Sequence, residues 1–189
     1  ICHVLRYSPL FSTIKRLLDE GRIGRLLAIQ HSENIGYFHF AHSFVRGNWG
    51  NQARATFMLM AKSCHDIDYI ASLTDEACLR VSSFGSLTHF RAECAPAGAA
   101  ERCVACPLEP SCMYSAIRHY VDTNREHWPA AVASHDHSRA AHLHAITTGP
   151  YGRCVWRCDN DVVDHQVVAM EFGGGVTATF TMTAFTHHN

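Results

Sequence analysis

Two rhythms of apolar residues run along the chain. After Ser8-Pro9, Leu10, Ile14, Leu17 and Leu18 recur at helical spacing, and Gly21 closes the segment. Ser8 suits the position just before a helix, and Pro9 suits its first turn, where no backbone N–H is needed. The apolar runs at residues 2–7 and 26–35 on either side predict strands, giving a strand–helix–strand opening. Residues 57–73 predict a second helix, with Met60, Cys64, Ile67 and Ala71 on one stripe and Leu59, Ile70 and Leu73 beside it. A strand follows at 79–90, with Gly85 as a possible bulge. The clearest period-two pattern is at the end, where Thr177, Thr179, Thr181 and Thr183 alternate with Val176, Ala178, Phe180, Met182 and Ala184. With a strand at 162–172 and three glycines at 173–175, it predicts an antiparallel hairpin. Between these elements lie an aromatic and His-rich loop at 36–55, a Cys-, Pro- and Ala-rich excursion at 92–114, and a His-rich stretch of short helices at 115–146.

Composition narrows the class. The 189 residues carry a formal net charge of −1 and are 47% hydrophobic, which suits one domain or one domain and a piece of another. Charged residues or histidines interrupt every apolar run, so no membrane span is expected. Near-neutral charge argues against a nucleic-acid partner, which would call for a basic face. Nine cysteines, an odd number spread among apolar segments, do not form a secreted disulfide pattern, so a cytoplasmic location is expected. The chain starts without Met inside an apolar run, and the expectation is a chain truncated at its front.

Three groups of residues could carry chemistry. In the 57–73 helix, Lys62 and Asp66 are four apart, while His65 and Asp68 are three apart. A histidine beside a carboxylate is a general acid/base unit, and a nearby lysine can donate to a substrate oxygen. The same spacing also describes an exposed salt bridge and a packed histidine. In the loop, Tyr37, His39, His42, Arg46, Asn48 and Trp49 combine aromatic faces with donors, as a sugar-like substrate requires; ordinary packing is the alternative. In the excursion, Cys103-x-x-Cys106 and Cys112 have the spacing of zinc ligands, with Cys94 or His119 as the fourth, and free thiols are the alternative. Such a site would be structural.

The run Val4-Leu5-Arg6-Tyr7-Ser8-Pro9, the helix exit Asp19-Glu20-Gly21-Arg22-Ile23-Gly24, and Cys64-His65-Asp66-Ile67-Asp68 together resemble the glucose-fructose oxidoreductase, inositol dehydrogenase and MocA family. The resemblance implies an α/β (α+β) chain. Residues 1–24 would hold the last strand and helix of a Rossmann domain. Residues 25–189 would form an incomplete substrate and oligomerisation domain, an open, mostly antiparallel sheet with helices on one face. It implies an NAD- or NADP-dependent oxidoreductase of a sugar, cyclitol or related polyol. His65 and Lys62 would assist proton transfer, Asp68, Tyr37, His39, Arg46 and Trp49 would bind substrate, and Arg6 would lie near the cofactor. The family's glycine-rich phosphate loop and its catalytic Glu-Lys-Pro lysine are not found in this sequence, and Ala61 stands where many members carry an Asp. The fragment alone is expected to be inactive, and the whole protein to form a homo-oligomer through the open sheet face. The alternative is a non-enzymatic, zinc-stabilised interaction or assembly module.

Overall fold

The structure, a computed structural model, describes residues 3–188. Four strands form one mixed sheet: β1 (Ala28–Gly36), β2 (Cys78–Ser86), β3 (His165–Phe172) and β4 (Thr177–Thr186), in the order β1-β4-β3-β2. The expected hairpin is present. β3 and β4 pair antiparallel from Glu171↔Thr177 to His165↔Thr183. Gly174 and Gly175, at φ 66° and 82°, make the turn with a backbone that a side chain would strain. β2 adds antiparallel to β3, while β1 runs parallel to β4 from Ala28↔Thr177 to Asn34↔Thr183.

The period of two sorts the sheet into two faces. Ala178, Phe180, Met182 and Ala184 of β4 and Val168, Met170 and Phe172 of β3 are buried, whereas Thr177, Thr179, Thr181, Val167 and Ala169 face outward and are exposed. Helices cover only the first face. The Cys64–Thr74 helix buries Tyr69 and Ile70 there, and Met58, Phe40 and Phe90 join the same core. Each large apolar side chain so buried contributes about 1.5–3 kcal/mol relative to exposure. β2 forms the far edge and is exposed throughout.

Four local expectations are corrected. Residues 4–7, read as part of a strand, form a 3-10 turn (Val4–Tyr7) closed by Ser8 N–H to the Leu5 carbonyl; Cys2 lies outside the described residues. A strand needs a neighbour for its backbone groups; these residues bond locally instead. The loop at 36–55 is largely helical, with a short helix Tyr37–Phe40 continuing into a wider-pitch π-turn Ala41–Arg46. Its aromatic residues are therefore mostly core. The 57–73 helix is broken into Met58–Ala61 and Cys64–Thr74, with Lys62 at φ −121° and ψ −54° between them. β2 ends at Ser86, four residues before the expected end, because Asp164 captures the chain just beyond it. This fully buried carboxylate accepts from the Thr88 and His89 N–H groups at 2.8 and 2.7 Å.

A second, smaller core packs Ala116, Tyr120, Val121 and Ile146, with Cys103 at its margin. Gly152 makes this possible. A Cβ there would stand 1.6 Å from the Ile146 carbonyl oxygen, so no larger residue fits without moving the backbone.

His42 is 4% exposed and shares a hydrogen bond of 3.0 Å between its Nδ1 and the Tyr120 hydroxyl. Burial first, then the charges of His39 and Arg46, push its pKa down to about 4. The folded state thus holds His42 neutral where the unfolded chain would protonate it. Its contribution to stability is complete above pH 6.5 and is lost as pH falls from 6.5 towards 4. We expect about 3 kcal/mol of stability to be lost over that window, at about 1.4 kcal/mol per unit of pKa difference. Urea unfolding at stepped pH will show it, and His42→Leu will flatten the slope.

Candidate functional site

The residues singled out for acid/base work lie where the broken helix crosses β1. Ile29, His31, Glu33 and Ile35 form the inward-facing row of β1, and two of the four are polar. A polar group on a core face needs a partner, and the helical segment supplies both. Asp66, 2% exposed, lies 2.7 Å from His31 Nε2. Lys62 Nζ donates to Glu33 Oε1 from the break in the helix. The expected Lys62–Asp66 pair is therefore not formed. It required one continuous helix, and the break turns Lys62 towards the strand instead.

Asp68 likewise turns away from His65. Arg6 grips it through Nε and Nη2, each at 2.6 Å, and His3 Nε2 stands 3.7 Å from Oδ1, the oxygen that Nη2 also holds. The hydrogen bonds from Arg6, then the charges of Arg6, His3 and His65, hold the Asp68 carboxyl below its ordinary range, with burial opposing. Asp68 in turn raises the Arg6 guanidinium. Arg6 is thus engaged by a carboxylate of this chain. His65 is half-buried. Its Nδ1 is buried with no hydrogen-bond partner, and its ring meets His3 edge-on, with centroids 6.3 Å apart. His3 and Asp68 also line an apolar groove of about 730 Å³ between the Cys64–Thr74 helix and β2–β3, where Met60, Ile67, Val81 and Met170 are exposed to it.

The aromatic segment divides. Tyr37 begins four residues after Glu33, no more than roughly 13 Å along an extended strand. It packs edge-on against Phe38 and Tyr114. His39 lies against Trp128, with ring centroids 4.8 Å apart, and Trp49 is exposed. Arg46 does not belong with them. It is 4% exposed, and its guanidinium donates to the carbonyls of Arg153 and Tyr114 at 2.7 and 2.8 Å and to Cys103 Sγ at 3.4 Å. These contacts place it in the interior, apart from Tyr37, His39 and Trp49, so its expected role beside them on a substrate is corrected to an interior one.

Arg46 opens onto a second cavity, of about 400 Å³, whose wall includes Cys103, Cys106, Cys112 and Cys154. Burial is the leading cause that raises the thiols of Cys112 and Cys154. The two residues expected as a fourth ligand are elsewhere. His119 Nε2 pairs with the Met113 carbonyl at 2.8 Å, and Cys94 is exposed, with Sγ 3.2 Å from the Thr88 carbonyl. Among the described residues, no three His, Cys, Asp or Glu side chains are already gathered into a metal-binding shell.

Sequence reasoning missed His31, Glu33, His3 and Cys154. The first two carried a usable signal, because polar residues at alternate positions between Ile29 and Ile35 fall on the buried face of a strand. No sequence spacing ties Cys154 to the other three cysteines.

Comparison with known proteins places this arrangement. The Bacillus subtilis (strain 168) protein named "Putative oxidoreductase YteT" is 23% identical over 182 residues, covering 94% of this chain and 41% of its own length. Among solved structures, myo-inositol 2-dehydrogenase from Lactobacillus plantarum superposes at a TM-score of 0.51 with 14% identity, over 97% of this chain and 35% of its own. Scyllo-inositol dehydrogenase from Lactobacillus casei, solved with bound NAD(H) and scyllo-inositol, gives 0.50 with 15% identity over 97% and 35%. A super-repressor mutant of Gal80p from Saccharomyces cerevisiae gives 0.52 with 13% identity over 98% and 35%. The chain thus spans between about a third and two fifths of these proteins, and the three structures share its fold. Residues 11–189 match the family described as the GFO/IDH/MocA C-terminal domain, and the chain belongs to that family.

Proposed function

We propose that the protein containing this chain is an NAD- or NADP-dependent oxidoreductase acting on a sugar, cyclitol or related polyol. In this reading residues 1–24 close the nucleotide domain and residues 25–189 belong to the substrate domain. The observation that carries it is the polar row beside the broken helix, where Lys62 reaches Glu33 on β1 and His65 stands half-buried in the first turn of the next helix, its Nδ1 enclosed without a protein partner. The family membership, and an oxidoreductase name on the curated relative, support the same class.

Oxidation of an alcohol removes a hydride from carbon and a proton from oxygen. The nicotinamide supplies the hydride acceptor when bound. The side chains of this chain serve the oxygen. The Lys62 ammonium donates to the substrate oxygen and stabilises charge developing there, and the His65 imidazole takes the proton. Asp68 is locked by Arg6, which fixes the carboxylate one turn from His65. Tyr37, His39 and Trp49 offer ring faces and polar tips to the sugar ring. The residues of this chain do not by themselves fit a dinucleotide. No G-x-G-x-x-G turn between a strand and a helix occurs, and Arg6 is already engaged by Asp68. The grip on the pyrophosphate therefore belongs to residues outside residues 1–189.

A second reading, a non-enzymatic assembly module, draws on the uncovered sheet face. There Thr177, Thr179 and Thr181 lie beside Val167 and the 77%-exposed Phe84. The likeness in fold to Gal80p, a protein named for repression, fits it as well. In the enzyme reading the same face joins copies of the protein into a homo-oligomer. Eight described cysteines, all free thiols, suit a reducing cytoplasm. Among the described residues no helix is long and apolar enough to cross a membrane.

In the full-length protein, His65→Ala should lower kcat/KM for its polyol substrate by about 10²–10⁴-fold. Lys62→Met should do the same, and thermal unfolding should shift little, because a part-exposed ion pair is worth about 1 kcal/mol or less. Steady-state kinetics paired with melting curves measure both, and turnover that survives either change would reject the assignment. Residues 1–189 alone should show no binding of NAD or NADP by isothermal titration; micromolar binding by this chain would defeat the placement of the cofactor grip elsewhere.

A further inference from the structure

We propose that Cys103, Cys106, Cys112 and Cys154 together bind one structural Zn²⁺ as four thiolates, with Arg46 as the buried countercharge. The fold, rather than the spacing, supplies the fourth sulfur. Cys103 and Cys106 flank a 3-10 turn closed by Cys106 N–H to the Cys103 carbonyl at 3.1 Å, so one turn offers two sulfurs. A second such turn, Glu109–Ser111, leads into Cys112. Cys154 arrives from a segment more than forty residues later. Arg102 and Arg153 form an antiparallel bridge, and Cys154 N–H donates to the Glu101 carbonyl at 2.9 Å. That pairing is made by the backbone, and it sets Cys154 beside the Cys103 turn. All four cysteines contribute to the wall of one cavity of about 400 Å³.

Arg46 points to a ligand in that cavity independently of the cysteines. A guanidinium 4% exposed is costly to bury without an opposite charge. Its acceptors are two neutral carbonyls, the neutral Tyr120 hydroxyl and the Cys103 sulfur, and among the described residues it forms no salt bridge. Glu109, also on the cavity wall, accepts from Ser115 Oγ instead. Four cysteine thiols binding Zn²⁺ release four protons and leave a centre of net charge −2, with no change in oxidation state. That centre would provide the anion Arg46 lacks, and the Arg46–Cys103 contact is the outer hydrogen bond such a centre uses. The thiols line the cavity separately, so binding must draw them onto a common centre, at about 2.3 Å per sulfur. Residues 92–112 gain most from this closure. Three 3-10 turns are the regular structure there, and the core beside them is small.

The test is metal analysis of the full-length protein purified without added metal, with iron and acid-labile sulfide measured alongside. We expect about one zinc per chain. Cys106→Ser and Cys154→Ser should each reduce it to below about a tenth of that, since a lost thiolate opens the shell. Cys94→Ser and Cys158→Ser should leave it unchanged, and Arg46→Gln should weaken zinc binding by about 10-fold or more in a chelator competition. Should the serine variants fail to fold, cobalt substitution of the unmodified protein decides the matter, because four thiolates give a different visible spectrum from three thiolates and a nitrogen. A folded, metal-free protein with all four thiols reactive would overturn the proposal. So would full zinc retention in Cys154→Ser, a cobalt spectrum with a nitrogen ligand, or iron with sulfide. None of these measurements involves turnover, so the zinc site and the oxidoreductase reading fail separately.

Discussion

The parallel ladder between β1 and β4 is the constraint on which the rest of the structure depends. It ties Ala28 to Thr177 and Asn34 to Thr183, so the chain between β1 and β4 must leave the sheet, add β2 at its far edge and come back through β3. The register also decides which β1 side chains turn inward. Ile29, His31, Glu33 and Ile35 do so, and His31 stacks on Phe180 of β4 with ring centroids 5.9 Å apart. A slip of one residue would send His31 and Glu33 to solvent and leave Asp66 and Lys62 without partners. The polar row beside the broken helix is thus a product of strand register.

Asp164 does for the far side of the sheet what that ladder does for the near side. Its backbone N–H donates to the Ser86 carbonyl, and its own carbonyl accepts from Ala184 N–H. Its carboxylate receives the Thr88 and His89 N–H groups and lies 2.8 Å from His165 Nδ1. One fully buried residue therefore joins the ends of β2, β3 and β4. The chain that leaves β2 through this clamp enters the cysteine-rich excursion, and the chain that reaches β3 comes from Cys154. Fixing one end of each segment is what allows the Arg102–Arg153 bridge to form between them.

How much of this was legible in the sequence depended on whether a pattern was local. The β3–β4 hairpin was, because Thr177 to Ala184 alternate and three glycines precede them. The face of the Cys64–Thr74 helix was legible only in part: Ile70 is buried, but the expected stripe of Met60, Cys64, Ile67 and Ala71 lines the open groove, and Asp66 and Tyr69 turn to the interior instead. The break at Lys62 was not. Lys, Ser and Ala are tolerable helix residues, so nothing local marks where the first turn ends. Val4–Tyr7 misled for the related reason that an apolar run states burial without stating a partner. Arg46 was read as a surface donor because arginine is rarely buried. Its acceptors are backbone carbonyls contributed by Tyr114 and Arg153, which no sequence pattern announces.

Two inward-facing cations, Lys62 and Arg46, show what burial does to the choice of partner. Lys62 sits where water still reaches, with side-chain exposures of 22% for it and 24% for Glu33. At such a site an ion pair costs little to form and little to break, so Glu33 can hold the ammonium while a substrate oxygen takes one of its other protons. Arg46 has no such freedom. Almost fully enclosed, it cannot borrow charge from solvent, and the groups around it are carbonyls, the Tyr120 hydroxyl and the Cys103 sulfur. Carbonyls satisfy its hydrogen bonds without neutralising it, and burial pushes the Tyr120 phenol up to about 12 and so keeps it neutral, which leaves the sulfurs as the neighbours a bound metal would make anionic. A polar group that can exchange partners is suited to chemistry, and one that cannot is suited to holding a fold together. The same sheet thus separates the residues that can meet a substrate, along β1, from those that can brace the crossover, behind Cys103.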